Sequence, residues 1–356
     1  MITADEKLTD GRKCDIAERV RSYADKHGIT LAQIARQLDT SASTVSEVLL
    51  RKYAGRADKH LRALNNWMEL DARRRNIVLD RQFAEHSVAR DIITVAEIVS
   101  ETCKIGVVFG PAQIGKSFTL AALEGSDRLG QPVLIRMGES AQRPKAVCRM
   151  VCAAFGLKTE GTFDALMRRL VKRLQGTRRP IFVDEADDCS YRVLEFLREL
   201  HDRTGCGPLL CGKPAIYQKL GFRDVGDFRE VTDQLSARVV IRRDLTERTR
   251  RTEHPTPLFT KDDIRALITT ASLELKVAPS AIDWLQARAC VIGMGGFGMA
   301  VINLYLAYKF AVGSGATEIT AEHLEAVQQT TMGHEDLERM EEVVAESSGT
   351  RIRRLA

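Results

Sequence analysis

The stretch Gly110-Pro111-Ala112-Gln113-Ile114-Gly115-Lys116-Ser117 decides how this chain is read. It has the form G-x-x-x-x-G-K-[ST]. The apolar, β-branched run Ile105 to Phe109 leads into it, and Phe118-Thr-Leu-Ala-Ala-Leu-Glu, a good helix opening, follows. Strand, glycine-bounded loop and helix in that order form a cradle for phosphate. The glycines let backbone N–H groups turn inward, and the helix N-terminus adds partial positive charge. Lys116 can reach the β- and γ-phosphates, and the Ser117 hydroxyl is a candidate ligand for Mg²⁺. The stretch therefore predicts ATP and Mg²⁺ as cofactors, with Gly110, Pro111, Ala112, Gln113, Ile114, Gly115, Lys116, Ser117 and Phe118 as nucleotide contacts.

Downstream, strand and helix signals alternate. Strands are expected at Pro132–Ile135, Pro180–Val183, Pro208–Cys211 and Val239–Ile241, with helices at Pro144–Phe155, Thr162–Leu174 and Tyr191–Thr204. This rhythm belongs to an α/β fold with a parallel sheet. Upstream, Ile77 to Phe83 reads as an extended lead-in and Ser87–Cys103 as a helix lying over the adenine pocket. The third strand ends in Asp184-Glu185. Asp184 is placed to hold the metal opposite Ser117, and Glu185 to take a proton from the attacking water. Asp187 and Asp188 read as acids at a helix N-terminus. Residues 256–334 carry four helices and no strand signal, which predicts a helical lid; 335–356 is charged and expected to be flexible.

The N-terminal part is all-helical. Apolar spacing marks helices at Asp15–His27, Leu31–Leu38, Thr44–Leu50 and Leu61–Leu70, with Ser41 or Ser43 capping the third. Two short helices joined by a tight turn form a helix-turn-helix. The run Gly28 to Ser46 resembles repressor-type DNA-binding domains of the phage lambda class. That resemblance puts Ser41, Ser43, Thr44 and Ser46 against DNA. Asp39 stands where those domains have glycine, and short hydroxyls hold phosphates more readily than they read bases. Weak sequence preference is expected. The alternative is a helical hairpin used only for packing.

The totals add bounds. The chain has 356 residues, with 53 Lys and Arg against 48 Asp and Glu, a net charge of +5. Basic residues cluster at 73–75, 168–169, 178–179, 242–243, 248–251 and 351–354, and several facing one way would make a phosphate-tracking surface. Eight cysteines are scattered without a C-x-x-C pair, against both zinc and a disulfide framework. No run looks apolar enough to cross a bilayer, and the N-terminus has no signal-peptide core, so no membrane role and a cytoplasmic location are expected.

The segment Leu235-Ser-Ala-Arg238 resembles the ring-ATPase pattern in which an arginine reaches a neighbour's site; Arg238 is the candidate finger and Arg229 the second choice. The alternative is a surface arginine paired with Asp233 or Glu230. Together with the P-loop, the Asp-Glu strand and the lid, this resembles the AAA+ ATPases. A helix-turn-helix at 1–72 before an AAA+ core at 73–255 and a lid at 256–334 resembles, more narrowly, the transposition protein B (MuB) family of phage Mu and its prophage relatives. That resemblance implies largely sequence-independent binding to double-stranded DNA, self-assembly into a helical filament and stimulation of a DDE-type transposase in a bacterial host. It further implies slow ATP hydrolysis that disassembles the filament. On this reading Cys211 takes the sensor place usually held by Asn, Thr or Ser, and Gly295 to Met299 supplies no lid arginine. Arg136, Arg143, Lys145 and the Lys213 turn become candidate DNA contacts. Two other functions fit the same motifs: an ATP-switched transcriptional regulator, and a loader of a replicative helicase.

Overall fold

The computed structural model describes residues 8–53, 55–75, 83–138, 142–222, 229–250, 255–293, 296–331, 340, 341 and 344. Residues 1–78 and 79–356 form separate compact units. The extended lead-in expected at 77–83 lies almost wholly outside the described residues, as does most of the tail. Within that tail Met340 is helical and buried, its sulfur beside the Gln328 amide.

The first unit holds α1 (Asp10–Lys26), α2 (Leu31–Gln37), α3 (Ala42–Leu49) and α4 (Ala57–Arg75). Its core is the set of apolar positions at helical spacing, among them Ile16, Val20, Ile34, Val45, Val48, Leu61 and Leu64. A capping box starts α2: Thr30 Oγ1 accepts from Gln33 N–H and Gln33 Oε1 accepts from Thr30 N–H at 2.8 Å. Ser41 caps α3 through Thr44 N–H at 3.0 Å. Between them Asp39 has φ 49°, the left-handed turn that glycine would take at no cost. Trp67 Nε1 donates to Gln37 Oε1 at 2.8 Å, fixing α4 to α2. Helix α4 continues to Arg75, past the boundary expected at residue 72.

The second unit opens with α5 (Ser87–Thr102) and then alternates: β1 (Ile105–Phe109), α6 (Lys116–Leu123), β2 (Val133–Arg136), α7 (Pro144–Ala154), α8 (Phe163–Leu174), β3 (Ile181–Asp184), α9 (Tyr191–Thr204), β4 (Pro208–Gly212), the short α10 (Ala215–Tyr217), α11 (Arg229–Ser236) and β5 (Val239–Asp244). The sheet is parallel in the order β2-β3-β4-β1-β5. Strands β1, β3 and β4 are buried along their whole length, as near-continuous apolar runs require when helices cover both faces. This order brings the C-terminal ends of β1, β3 and β4 side by side, at the edge where α/β sheets bind ligands.

The lid region is α12 (Lys261–Ala271), β6 (Lys276–Val277), α13 (Pro279–Ala289), α14 (Gly296–Gly313), β7 (Glu318–Ile319) and α15 (Ala321–Thr331). The parallel β6–β7 pair corrects the expectation of a strand-free lid. Each strand has two residues, too few for any alternation to show in sequence. Helix α14 is also long and apolar enough to span a membrane by length and composition alone, which the sequence reading missed; here it packs against α13 and α15, which also touch each other.

Candidate nucleotide site

Loop 110–115 follows β1 and ends at Gly115, φ 93°, which starts α6. A Cβ at Gly115 would lie 2.8 Å from His86 Nε2, and one at Gly110 would lie 2.9 Å from Ile114 Cδ1. Gly115 needs glycine for its left-handed backbone, whereas a side chain at Gly110 would require the tip of Ile114 to shift. The loop borders a cavity of about 570 Å³, within the usual range for small-molecule sites. Gln113, Gly115, Lys116 and Ser117 line one wall, Asp184, Glu185, Asp187, Gly212 and Lys213 another, and Phe297, Met299, Val301 and Ile302 of α14 close it from the lid.

Lys116 is buried, its ammonium donating to the Gly110 carbonyl at 2.9 Å and also to the Pro111 carbonyl. Burial pushes it below the usual lysine range. Cys211 beside it is itself pushed up to about 12 by burial and stays a neutral thiol, so the nearby anions are Asp184 and Asp187. A desolvated ammonium at a helix start gains most from a ligand that brings negative charge. Asp184, also buried, accepts Glu185 N–H on Oδ1 at 3.0 Å and Arg136 Nε–H on Oδ2 at 3.1 Å. Glu185 has φ 54° and an exposed side chain at the cavity wall. A non-glycine residue held there stores about 1–3 kcal/mol of strain, common at functional sites.

The structure gives the other expected site residues these partners. Arg136, assigned to DNA, is the cross-strand neighbour of Asp184 and bonds its carboxylate. Lys213, also assigned to DNA, lines the cavity, its ammonium 3.4 Å from Asp187 Oδ2. Asp187 lies in the first turn of a short 3-10 helix, Ala186–Asp188, as expected of a helix N-terminal acid. The turn at Glu185 folds it back under β4, where it is buried and accepts Lys213 N–H at 2.9 Å; Ser190 caps α9. Cys211 does not line the cavity: β4 is buried along its length, and only its last residue, Gly212, and Lys213 just beyond it reach the cavity wall. Arg143 and Lys145 are exposed at the start of α7. Arg238 precedes β5, at the sheet edge opposite the P-loop, and makes a two-pronged pair with Asp202 of α9 at 2.6 and 2.9 Å, while the side chain of Glu230 lies outside the described residues. The side chain of Arg229 lies outside the described residues. Ser41, Ser43 and Thr44 share one hydroxyl cluster at the start of α3, with Ser46 half-buried beyond it.

His86 is the site residue that the sequence reading missed. It caps α5 by accepting Ala89 N–H on Nδ1 at 3.1 Å, so the neutral ring carries its proton on Nε2, at the cavity. Its ring packs against Phe259 and Phe297 of the lid region, centroids 5.3 and 4.5 Å away. Burial holds its pKa at about 4. No motif marks a lone histidine before a helix; only the packing does.

Residues 99–220 match the AAA domain family. The match takes in about a third of the chain. The matched segment runs from the last turn of α5 to just past α10 and supplies the P-loop, Asp184 and Glu185. Over 230 residues the chain is 27% identical to the ATP-dependent target DNA activator B of Escherichia phage Mu, covering 64% of this chain and 73% of that one. It is 25% identical over 210 residues to the Mu-like prophage FluMu DNA transposition protein B of Haemophilus influenzae, covering 58% and 71%. Among solved structures, the Aeropyrum pernix ORC1 protein in complex with DNA is similar with a TM-score of 0.49 at 16% identity, covering 72% and 69%. The Thermotoga maritima RuvB Holliday junction branch migration motor is similar with a TM-score of 0.45 at 13% identity, covering 74% and 80%.

The match to the AAA domain family implies that the cavity takes ATP or ADP, and its residues fit that ligand. Loop glycines leave the backbone bare, Lys116 is a buried cation, and the apolar lid wall and His86 offer a surface for a base.

Proposed function

We propose that this chain is an ATP-dependent activator of target DNA in transposition. The observation that carries the reading is the joint one: an AAA nucleotide cavity complete in Lys116, Ser117, Asp184 and Glu185, in a chain similar over 230 residues to a target DNA activator. Ser117 and Asp184 would hold Mg²⁺, which screens charge on the phosphates. Lys116 orients the phosphate chain, and Glu185 takes the proton of the attacking water. Arg136 holds the carboxylate of Asp184 in place beside it. Hydrolysis is slow, since α14 presents only apolar residues and glycine to the cavity.

On the same reading the ATP form coats duplex DNA as a filament of many copies, presents it to a DDE-type transposase, and leaves when ATP is spent. Arg238 would leave Asp202 and enter a neighbour's cavity. The helix-turn-helix of α2 and α3 adds phosphate contacts through Ser41, Ser43, Thr44 and Ser46, and Arg143 and Lys145 add others. Nuclease footprinting with a slowly hydrolysed ATP analogue and with ADP tests this. Long continuous protection with the analogue alone is expected. A single protected site would mean a regulator, and binding to a replicative helicase in place of a transposase would mean a loader.

A further inference from the structure

Between β2 and β3 the chain runs through α7 and α8, which pack on one another as part of the helical layer beside the sheet. Residues 137–180 contain ten Lys and Arg against three acids (Glu139, Glu160, Asp164), a local charge of +7 in a chain whose total is +5. The rest of the molecule is therefore slightly negative, and this segment carries the whole positive excess. The pattern within it is ordered. Apolar residues Val147, Cys148, Val151 and Cys152 of α7 and Leu166, Met167, Leu170 and Leu174 of α8 face inward. The exposed sides carry Lys145 and Arg149 at i, i+4 on α7, and Arg168 and Lys172 at i, i+4 on α8, with Arg173 beside them.

Helix chemistry explains only part of this. Lys172 and Arg173 in the last turn of α8 suit its macrodipole. Arg149 and Arg168 stand mid-helix, where it favours neither sign. Arg169 and Arg179 are occupied, bonding the Lys158 and Glu160 carbonyls and the Gln131 carbonyl. Among the described residues, none of Arg149, Arg168, Lys172 and Arg173 has a carboxylate within ion-pair distance, whereas α9 pairs Arg198 and Arg203 with acids of its own. Unscreened like charges one turn apart repel. A surface that keeps them is matched to a polyanion that offers many charges at regular spacing, and double-stranded DNA presents one per about 1.7 Å of axis.

We propose that the outer face of α7 and α8, centred on Arg149, Arg168, Lys172 and Arg173, is a docking surface for the phosphates of duplex DNA. It rests on the DNA-binding reading above and extends the Lys145 contact on α7 to four residues which that reading does not include. The test is fluorescence anisotropy of a labelled duplex with full-length protein, Mg²⁺ and a slowly hydrolysed ATP analogue, across a potassium chloride series. Wild type is compared with R168Q/K172Q and with Arg203→Gln on α9, and polyglutamate is used as a second probe. Each lost phosphate contact lowers the slope of log affinity against log salt by about 0.9, so the double variant should lose about 1.8. A fourfold rise in salt then weakens it about tenfold less than wild type, while Arg203→Gln and the nucleotide affinity of both variants stay unchanged. If wild type binds duplex and the double variant keeps its slope, the surface is overturned and DNA binding stands. If wild type binds no duplex, both readings fall. Tighter binding of polyglutamate than of duplex, lost in the double variant, assigns the face to an acidic protein and overturns the proposal.

Discussion

A methyl group added at Gly115 would meet His86 Nε2 at 2.8 Å, on a backbone whose φ of 93° already excludes most side chains. Gly115→Ala should therefore cost about 1–3 kcal/mol in stability and weaken ATP binding at least tenfold, read by calorimetric titration with a slowly hydrolysed analogue. His86 makes a separate prediction. Its folded pKa of about 4 lies below its ordinary value of 6.5, so the unfolded chain binds the extra proton first as pH falls. The stabilisation is complete above pH 6.5 and is lost progressively down to pH 4, by about 3 kcal/mol. Urea midpoints of wild type should fall across that window, and His86→Phe, which keeps the ring packing, should flatten the fall. The histidine was invisible in the sequence because nothing local shows that its Nδ1 caps a helix or that lid phenylalanines grip its ring. The P-loop was legible because all its chemistry lies within eight consecutive residues.

Asp263 joins two elements far apart in the chain. It is the capping-box acid of α12, accepting Thr260 N–H at 2.7 Å, and it accepts Ser87 N–H and Oγ–H at 2.8 and 2.6 Å at the start of α5. One fully buried carboxylate thus caps the lid helix and the helix leading into the core, with Arg90 at 3.0 Å. Burial alone would raise its pKa, but hydrogen bonds from Ser87 and Thr260 outweigh that and hold it below the usual carboxylate range. A depressed carboxylate stabilises the fold above its unfolded pKa and loses that contribution as pH falls through the folded one. Asp263→Ala leaves several buried donors unpaired and should cost about 2–4 kcal/mol, with the α5–α12 joint more open to protease at neutral pH. A wild-type urea midpoint in the variant would refute this. At this scale most helix and strand positions were readable from apolar spacing and caps. The β6–β7 pair was not: two residues per strand are held by partners some forty positions away.

For the whole molecule, the sharpest expectation concerns assembly. Arg238 stands at the sheet edge away from its own P-loop, so it can serve a phosphate only in another copy. ATP turnover per molecule should rise with protein concentration in wild type and stay low and flat in Arg238→Ala. The half-exposed Arg238–Asp202 pair is worth at most about 1 kcal/mol, so an unchanged melting temperature would show that lost turnover is not lost folding. Wild-type turnover in the variant at high concentration would end the role.

The sequence by itself determined the P-loop, the alternation that makes a parallel sheet, the acidic end of β3, the N-terminal helices and the helices that follow β5, because each is written in neighbours or in a short period. Only the tertiary structure decided the strand order. That order brings Arg136 and Lys213 to the acids of the nucleotide site, buries Cys211, turns Asp187 inward and hands Arg238 to Asp202. These are pairings between elements, settled by which strands lie side by side and which polar groups must find partners once buried, and no local pattern records them.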